Sequence, residues 1–149
     1  MNLQKVLPPV WFFLSIILMV ALHFWLPVQQ LLFPPLTYLG VGAIAIGIGT
    51  VLYCDYLFRQ KNTTIRPFQE SSYLVTEGLF NYSRNPIYLG MIITLIGLWI
   101  FLGSLTPVFI IPIFTWLIQE MFIKEEERML EEKFGEEYRE YKATVRRWI

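Results

Sequence analysis

Two long tracts of this chain carry no charge, and that absence constrains the fold more than any other feature. No Lys, Arg, Asp or Glu occurs between Val6 and Cys54, or between Asn85 and Gln119. The chain has 149 residues, room for a single domain (1–149), and its hydrophobic share of 55% with 17% aromatics exceeds what a water-soluble domain carries. Lipid is therefore the expected solvent. Four apolar stretches stand out: Val6 to Leu26, Leu36 to Phe58, Ile87 to Leu102 and Leu105 to Ile123. At a rise of ~1.5 Å per residue the first two can cross a hydrocarbon core of ~30 Å, and the third is short for the task. Gly103, Ser104, Thr106 and Pro107 supply a turn that makes the last two a helical hairpin, and Pro112 is placed to kink the fourth. The expected fold is an all-α, polytopic membrane protein with about four transmembrane helices and an amphipathic C-terminal helix on the cytoplasmic side.

The cations fix the expected orientation. Lys5 precedes the first span, Arg59, Lys61, Arg66 and Arg84 lie between the second and third, and the remaining seven follow the fourth. By the positive-inside rule both termini and the central loop are cytoplasmic, whereas Pro27 to Pro35 and Gly103 to Pro107 face outward. Val6 to Leu26 is too long for a secretory h-region and lacks a small-residue cleavage site, so it reads as a retained span. Lys plus Arg and Asp plus Glu balance at 12 each, with no basic stripe to attract nucleic acid. Cys54 is the only cysteine and His23 the only histidine, which excludes an intramolecular disulfide and a zinc cluster built on them. No metal site is expected.

In the second stretch Ala43/Gly47 and Ala45/Gly49 are spaced for close helix approach. The neighbouring Gly-x-Gly pairs complete no dinucleotide fingerprint, and no strand precedes them. His23 reads as a hydrogen-bonded packing residue, with a proton relay the minority reading. Asp55 is expected to snorkel or pair with Arg59, and Cys54 has no candidate base beside it. Arg59 to Arg84 is long for a connector, and loops of that length tend to be functional.

Two features could carry chemistry. Arg84-Asn85-Pro86 opens the third span, with Asn85 suited to the N-cap and Pro86 to the first helical position. An ordinary capped helix start is the bland reading; the sharper one is that the helix's free N–H groups and Arg84 favour an anion such as a cofactor carboxylate. In the tail, Phe122, Leu130, Phe134, Tyr138, Tyr141, Val145 and Trp148 recur at helical spacing. Four residues on from Phe122 stands Glu126, a carboxylate set into the apolar stripe that needs a donor or a cation there. The competing reading is a solvated run, with Glu126 merely pairing Arg84 or Arg128 and Gly135 free to break the helix.

Taken in order, Leu74-Val75-Thr76-Glu77-Gly78, then Ser83-Arg84-Asn85-Pro86-Ile87-Tyr88-Leu89-Gly90, then Glu126-Glu127-x-x-Leu130, Phe134-Gly135 and Tyr138-x-x-Tyr141 resemble the isoprenylcysteine carboxyl methyltransferase family, which takes in phospholipid N-methyltransferase-like proteins. The likeness covers Thr63 to Trp148. It implies that this half binds S-adenosylmethionine on the cytosolic side, held by Ser72, Tyr73, Leu74, Val75, Phe80, Asn85, Pro86, Ile87, Tyr88, Glu126 and Glu127. Asn85 stands where the family usually has His, so it can donate a hydrogen bond but cannot titrate near neutrality. Carboxylate-methylating relatives also carry an Arg one turn before the paired glutamates, where this chain has Phe122 and Ile123. Arg84 or Arg146 is then expected to orient the acceptor. That acceptor is a lipid-like or prenylated molecule, as for a protein C-terminal S-isoprenylcysteine carboxylate, with a phospholipid amine as the alternative. A non-catalytic membrane adaptor and a nicotinamide-dependent sterol-type reductase are the competing classes.

Overall fold

The structure, a computed structural model, describes residues 7–61 and 73–149. Helices α1 (Pro8–Trp25), α2 (Leu39–Gln60), α3 (Pro86–Leu102), α4 (Ile110–Ile118), α5 (Lys124–Phe134) and α6 (Glu136–Thr144) dominate it. Among the described residues there is no strand, only an isolated bridge between Gln30 and Ser104. Among the described residues three helical stretches are long and apolar enough to cross a membrane: Pro8–Trp25, Leu36–Gln60 and Thr106–Phe134. Pro86–Leu102 is a shorter apolar helix of 17 residues. The chain is a polytopic all-α membrane protein.

Helices α2 and α3 pack backbone to backbone because both offer glycines at the crossing. A Cβ added at Gly90 would lie 2.8 Å from the Gly47 carbonyl, and one at Gly97 only 2.6 Å from Ile44 N. Of the small residues expected to mediate contact, Gly47 does so, with Gly40 one heptad before it; Gly42 and Gly49 point away and have nothing within 4 Å of an added Cβ. The sequence shows two glycine-bearing faces on α2, and only the fold says which one α3 takes.

The turn between α3 and the fourth span is tied to the loop after α1. Gly103, at φ 72, accepts from Leu31 N (2.7 Å) and Leu32 N (3.0 Å), and Leu105 N donates to Gln29 O (2.9 Å). His23 Nδ1 lies 2.8 Å from Ser104 Oγ, and Trp99 Nε1 donates to Ser104 O at 3.0 Å. His23 is thus a hydrogen-bonded packing residue. Pro112 falls in the first turn of α4, after a 3-10 turn over Thr106–Phe109, where its missing N–H has no helical partner to lose.

The C-terminal part departs from a single helix. A π-helical segment, Gln119–Ile123, joins α4 to α5, and Gly135 at φ 56, ψ −119 separates α5 from α6. That backbone conformation is essentially open to glycine alone. The stretch from Thr106 to Phe134 is 29 residues long, or ~43 Å as a helix. It exceeds a ~30 Å hydrocarbon core, so the part from Lys124 onward projects beyond it.

Candidate active site

The π segment sets the geometry of the acidic helix. An inserted residue widens the inward seam, so Phe122 and Ile123 are both fully buried, and one turn later Glu126 and Glu127 both turn inward. The sequence argument singled out Glu126. The structure places both glutamates in the packed face and gives them different partners.

Glu127 is 7% exposed and held by two arginines. Arg147 grips it bidentately, Nε to Oε1 at 2.9 Å and Nη2 to Oε2 at 2.7 Å, while Arg84 Nη2 approaches Oε1 at 3.2 Å. Arg84, which the competing reading had assigned to Glu126, thus pairs with Glu127. Arg84 is itself nearly buried, and its Nε and Nη1 have no acceptor among the described residues. A buried charged donor left without a partner is costly, which marks a position where an anionic oxygen would be stabilised.

Glu126 meets the opening turn of α3. Tyr88 donates its hydroxyl to Glu126 Oε1 at 2.6 Å, and no ion pair to Glu126 exists among the described residues. Burial, opposed by the Tyr88 hydrogen bond and reinforced by the Glu127 charge, pushes the Glu126 carboxyl up to about 7. Tyr88 and Glu126, 38 residues apart in sequence, are in direct contact.

The turn before α3 is held by the end of the chain. Arg84 N donates to Arg146 O at 3.0 Å; Ser83 Oγ and Asn85 Nδ2 both donate to Arg147 O, at 3.3 and 3.1 Å. Ser83 Oγ in turn accepts from Asn85 N at 3.1 Å. Asn85 does occupy the N-cap and Pro86 the first helical position, but the Asn85 side chain makes no capping bond. Its amide is committed to the tail instead. Trp148 Nε1 donates to Gln119 Oε1 at 3.2 Å and closes the strap against the π segment. Tyr141 ties α6 to the loop before α3 by donating to Phe80 O at 2.7 Å.

The remaining expected residues divide into groups. Leu74, Val75 and Phe80 are buried, and Val75 and Phe80 pack with Cys54 and Leu57 at the end of α2. Ile87 touches both this cluster and the main core that contains Tyr88, so the two groups adjoin. Tyr73 is exposed, with Lys61 Nζ 5.1 Å from its ring centroid. Ser72 lies outside the described residues. Arg146 is exposed and contributes its carbonyl, whereas Arg147, which the sequence argument passed over, brings the inward-facing cation. Cys54 is buried among apolar groups, and Asp55 pairs with Arg59 at 2.7 Å. Two open grooves lie on this part of the molecule, one of about 510 Å³ lined by residues including Tyr53, Gly78 and Tyr82, the other of about 430 Å³ lined by residues including Glu127, Arg128 and Arg139. Tyr88 and Glu126 line neither. Among the described residues no cluster of His, Cys, Asp and Glu is arranged to hold a metal.

An all-helical membrane unit with a buried carboxylate clamped by two arginines where α3 opens defines the class. The sequence profile of the phospholipid methyltransferase family matches residues 36–137, and the chain belongs to that family. It is a membrane methyltransferase. Among curated relatives, an uncharacterized protein of Haemophilus influenzae is 40% identical over 63 residues, covering 42% of this chain and all of that protein. The protein-S-isoprenylcysteine O-methyltransferase of Schizosaccharomyces pombe is 32% identical over 72 residues, 48% of this chain but only 30% of that protein.

Proposed function

We propose that the protein transfers a methyl group from S-adenosylmethionine to a lipophilic acceptor at the cytoplasmic membrane face, in the manner of a protein C-terminal S-isoprenylcysteine carboxyl O-methyltransferase. The observation that carries this reading is the contact between Tyr88 and Glu126. A half-buried carboxylate with a hydroxyl on one oxygen and no cation among the described residues is suited to a ligand's amino group or ribose hydroxyls. The residues present fit the methyl donor on that ground, and Arg84's Nε and Nη1, without an acceptor among the described residues, fit an anionic oxygen.

Bound at this site, S-adenosylmethionine supplies an electrophilic methyl on a sulfonium, and its in-line displacement by the acceptor needs no enzyme nucleophile. The chain's task is alignment and exclusion of water, of which alignment alone can be worth several kcal/mol (of order 7–11 at best). Glu126 accepts from the donor's amino or ribose groups. Tyr88 and Phe80 line its adenine or sulfonium, where a cation–π contact contributes roughly 0.5–2 kcal/mol. Arg84 orients the acceptor. Asn85, Pro86 and Ile87 at the start of α3, with Leu74 and Val75, would flank the donor.

A second reading, methylation of a phospholipid amine, is favoured by the family match. Incubating the purified protein with radiolabelled S-adenosylmethionine and a panel of prenylcysteine and phospholipid acceptors separates the two. Label in prenylcysteine esters supports the first reading and label in the lipid headgroup the second. Failure to bind S-adenosylhomocysteine would sink both.

A further inference from the structure

Adjacent inward-facing carboxylates repel, and the half-buried Glu126 and the buried Glu127 have been given unequal shares of the available cations. Arg147 reaches Glu127 across 20 residues of sequence because the strap folds back: the carbonyls of Arg146 and Arg147 hold the Ser83 to Asn85 turn, and Trp148 is bonded to Gln119. The result is two guanidinium groups on one carboxylate, leaving that cluster with a net positive charge next to Glu126. Arg84 alone, with a single 3.2 Å contact, would leave it neutral.

We infer that Arg147 is a positioning residue of the site, clamping Glu127 together with Arg84 so that Glu126 is the carboxylate left to meet the methyl donor. The inference rests on the proposed reading of the site. Among the described residues the other charged and titratable groups around this pair are few. Tyr88 comes from α3, Tyr138 from α6 against Glu127 and the two arginines, and Glu120 from the π segment near Arg147. None of these replaces the charge of Arg147 on Glu127. Without it, the Glu127 charge falls more fully on Glu126 and favours its protonated form.

The test is equilibrium binding of S-adenosylhomocysteine to the full chain in lipid nanodiscs between about pH 5.5 and 8.5. Arg147→Gln is expected to move the acid limb of binding upward by about one pH unit. Arg147→Lys, which keeps the charge, and Arg147→Gln/Glu127→Gln, which restores the cluster's net charge, are expected to stay within about 0.3 unit of the parent. A residue that merely braced the fold would lower affinity equally at every pH. An unshifted limb in Arg147→Gln, or a lysine variant as displaced as the glutamine one, overturns the inference. Should Arg147→Gln not fold, the lysine and double variants decide, and displacement of either limb overturns it. A parent chain that binds nothing at any pH contradicts the reading of the site itself, whereas a parent that binds with an unshifted Arg147→Gln contradicts only the role of Arg147.

Discussion

Acidifying the medium from about pH 8 to pH 6 should weaken cofactor binding about tenfold, through one residue. Burial raises the Glu126 carboxyl to about 7, against ~4.3 for an ordinary glutamate. About nine-tenths of the molecules then carry an ionised Glu126 at pH 8 and about one-tenth at pH 6. A ligand whose amino group is held by the carboxylate binds the ionised form, so affinity falls as pH drops through the folded value. The sign for the ligand-free chain is opposite. A carboxyl raised above its unfolded value contributes stability that is fully present below ~4.3 and lost as pH rises through about 7, of the order of 3 kcal/mol in all. Calorimetric titration with S-adenosylhomocysteine, paired with thermal unfolding of the ligand-free protein, reads both. Glu126→Gln should bind weakly and flatten both profiles. A parent whose affinity is constant over this range, or a glutamine variant that retains the full slope, would refute the assignment.

Three further outcomes follow from the contacts. Glu132→Gln, at an exposed carboxylate paired with Arg128, should change cofactor affinity less than about twofold; losses matching those of Glu126→Gln would undo the argument that only the inward face binds. Asn85→His should retain binding, because an imidazole N–H can replace the amide donor to Arg147 O; abolished binding would show the Arg-Asn-Pro-x-Tyr alignment to be wrong. Gly47→Ala and Gly49→Ala should act with opposite sign in detergent unfolding. The first drives a Cβ into the Gly90 carbonyl at 2.5 Å and costs about 1–3 kcal/mol, while the second meets nothing within 4 Å and gains up to about 1 kcal/mol from helix propensity.

The architecture was legible because lipid removes choices: uncharged tracts must be helical, and their lengths and the Gly103 turn left little freedom. The meeting of Tyr88 and Glu126 could be anticipated for a related reason, since a carboxylate on an apolar stripe demands a donor. What sequence could not convey was the register after the fourth span. Stepping by four assumes an unbroken α-helix, and the π segment over Gln119–Ile123 alters that count, so Glu127 escaped notice as a buried residue. The choice between Arg146 and Arg147 was equally hidden. Both are tail cations, and only the extended backbone from Val145, at φ −113 and ψ 130, decides which one turns inward.

The most direct measurement of the central claim is ultraviolet cross-linking of methyl-labelled S-adenosylmethionine to the purified protein, with mapping of the labelled peptides. Label should fall on the opening turn of α3 around Tyr88 and on the first turn of α5 around Glu126, and excess S-adenosylhomocysteine should abolish it. Label confined to α1 or to the Gly103 turn, or label that competitor leaves unchanged, would contradict the account.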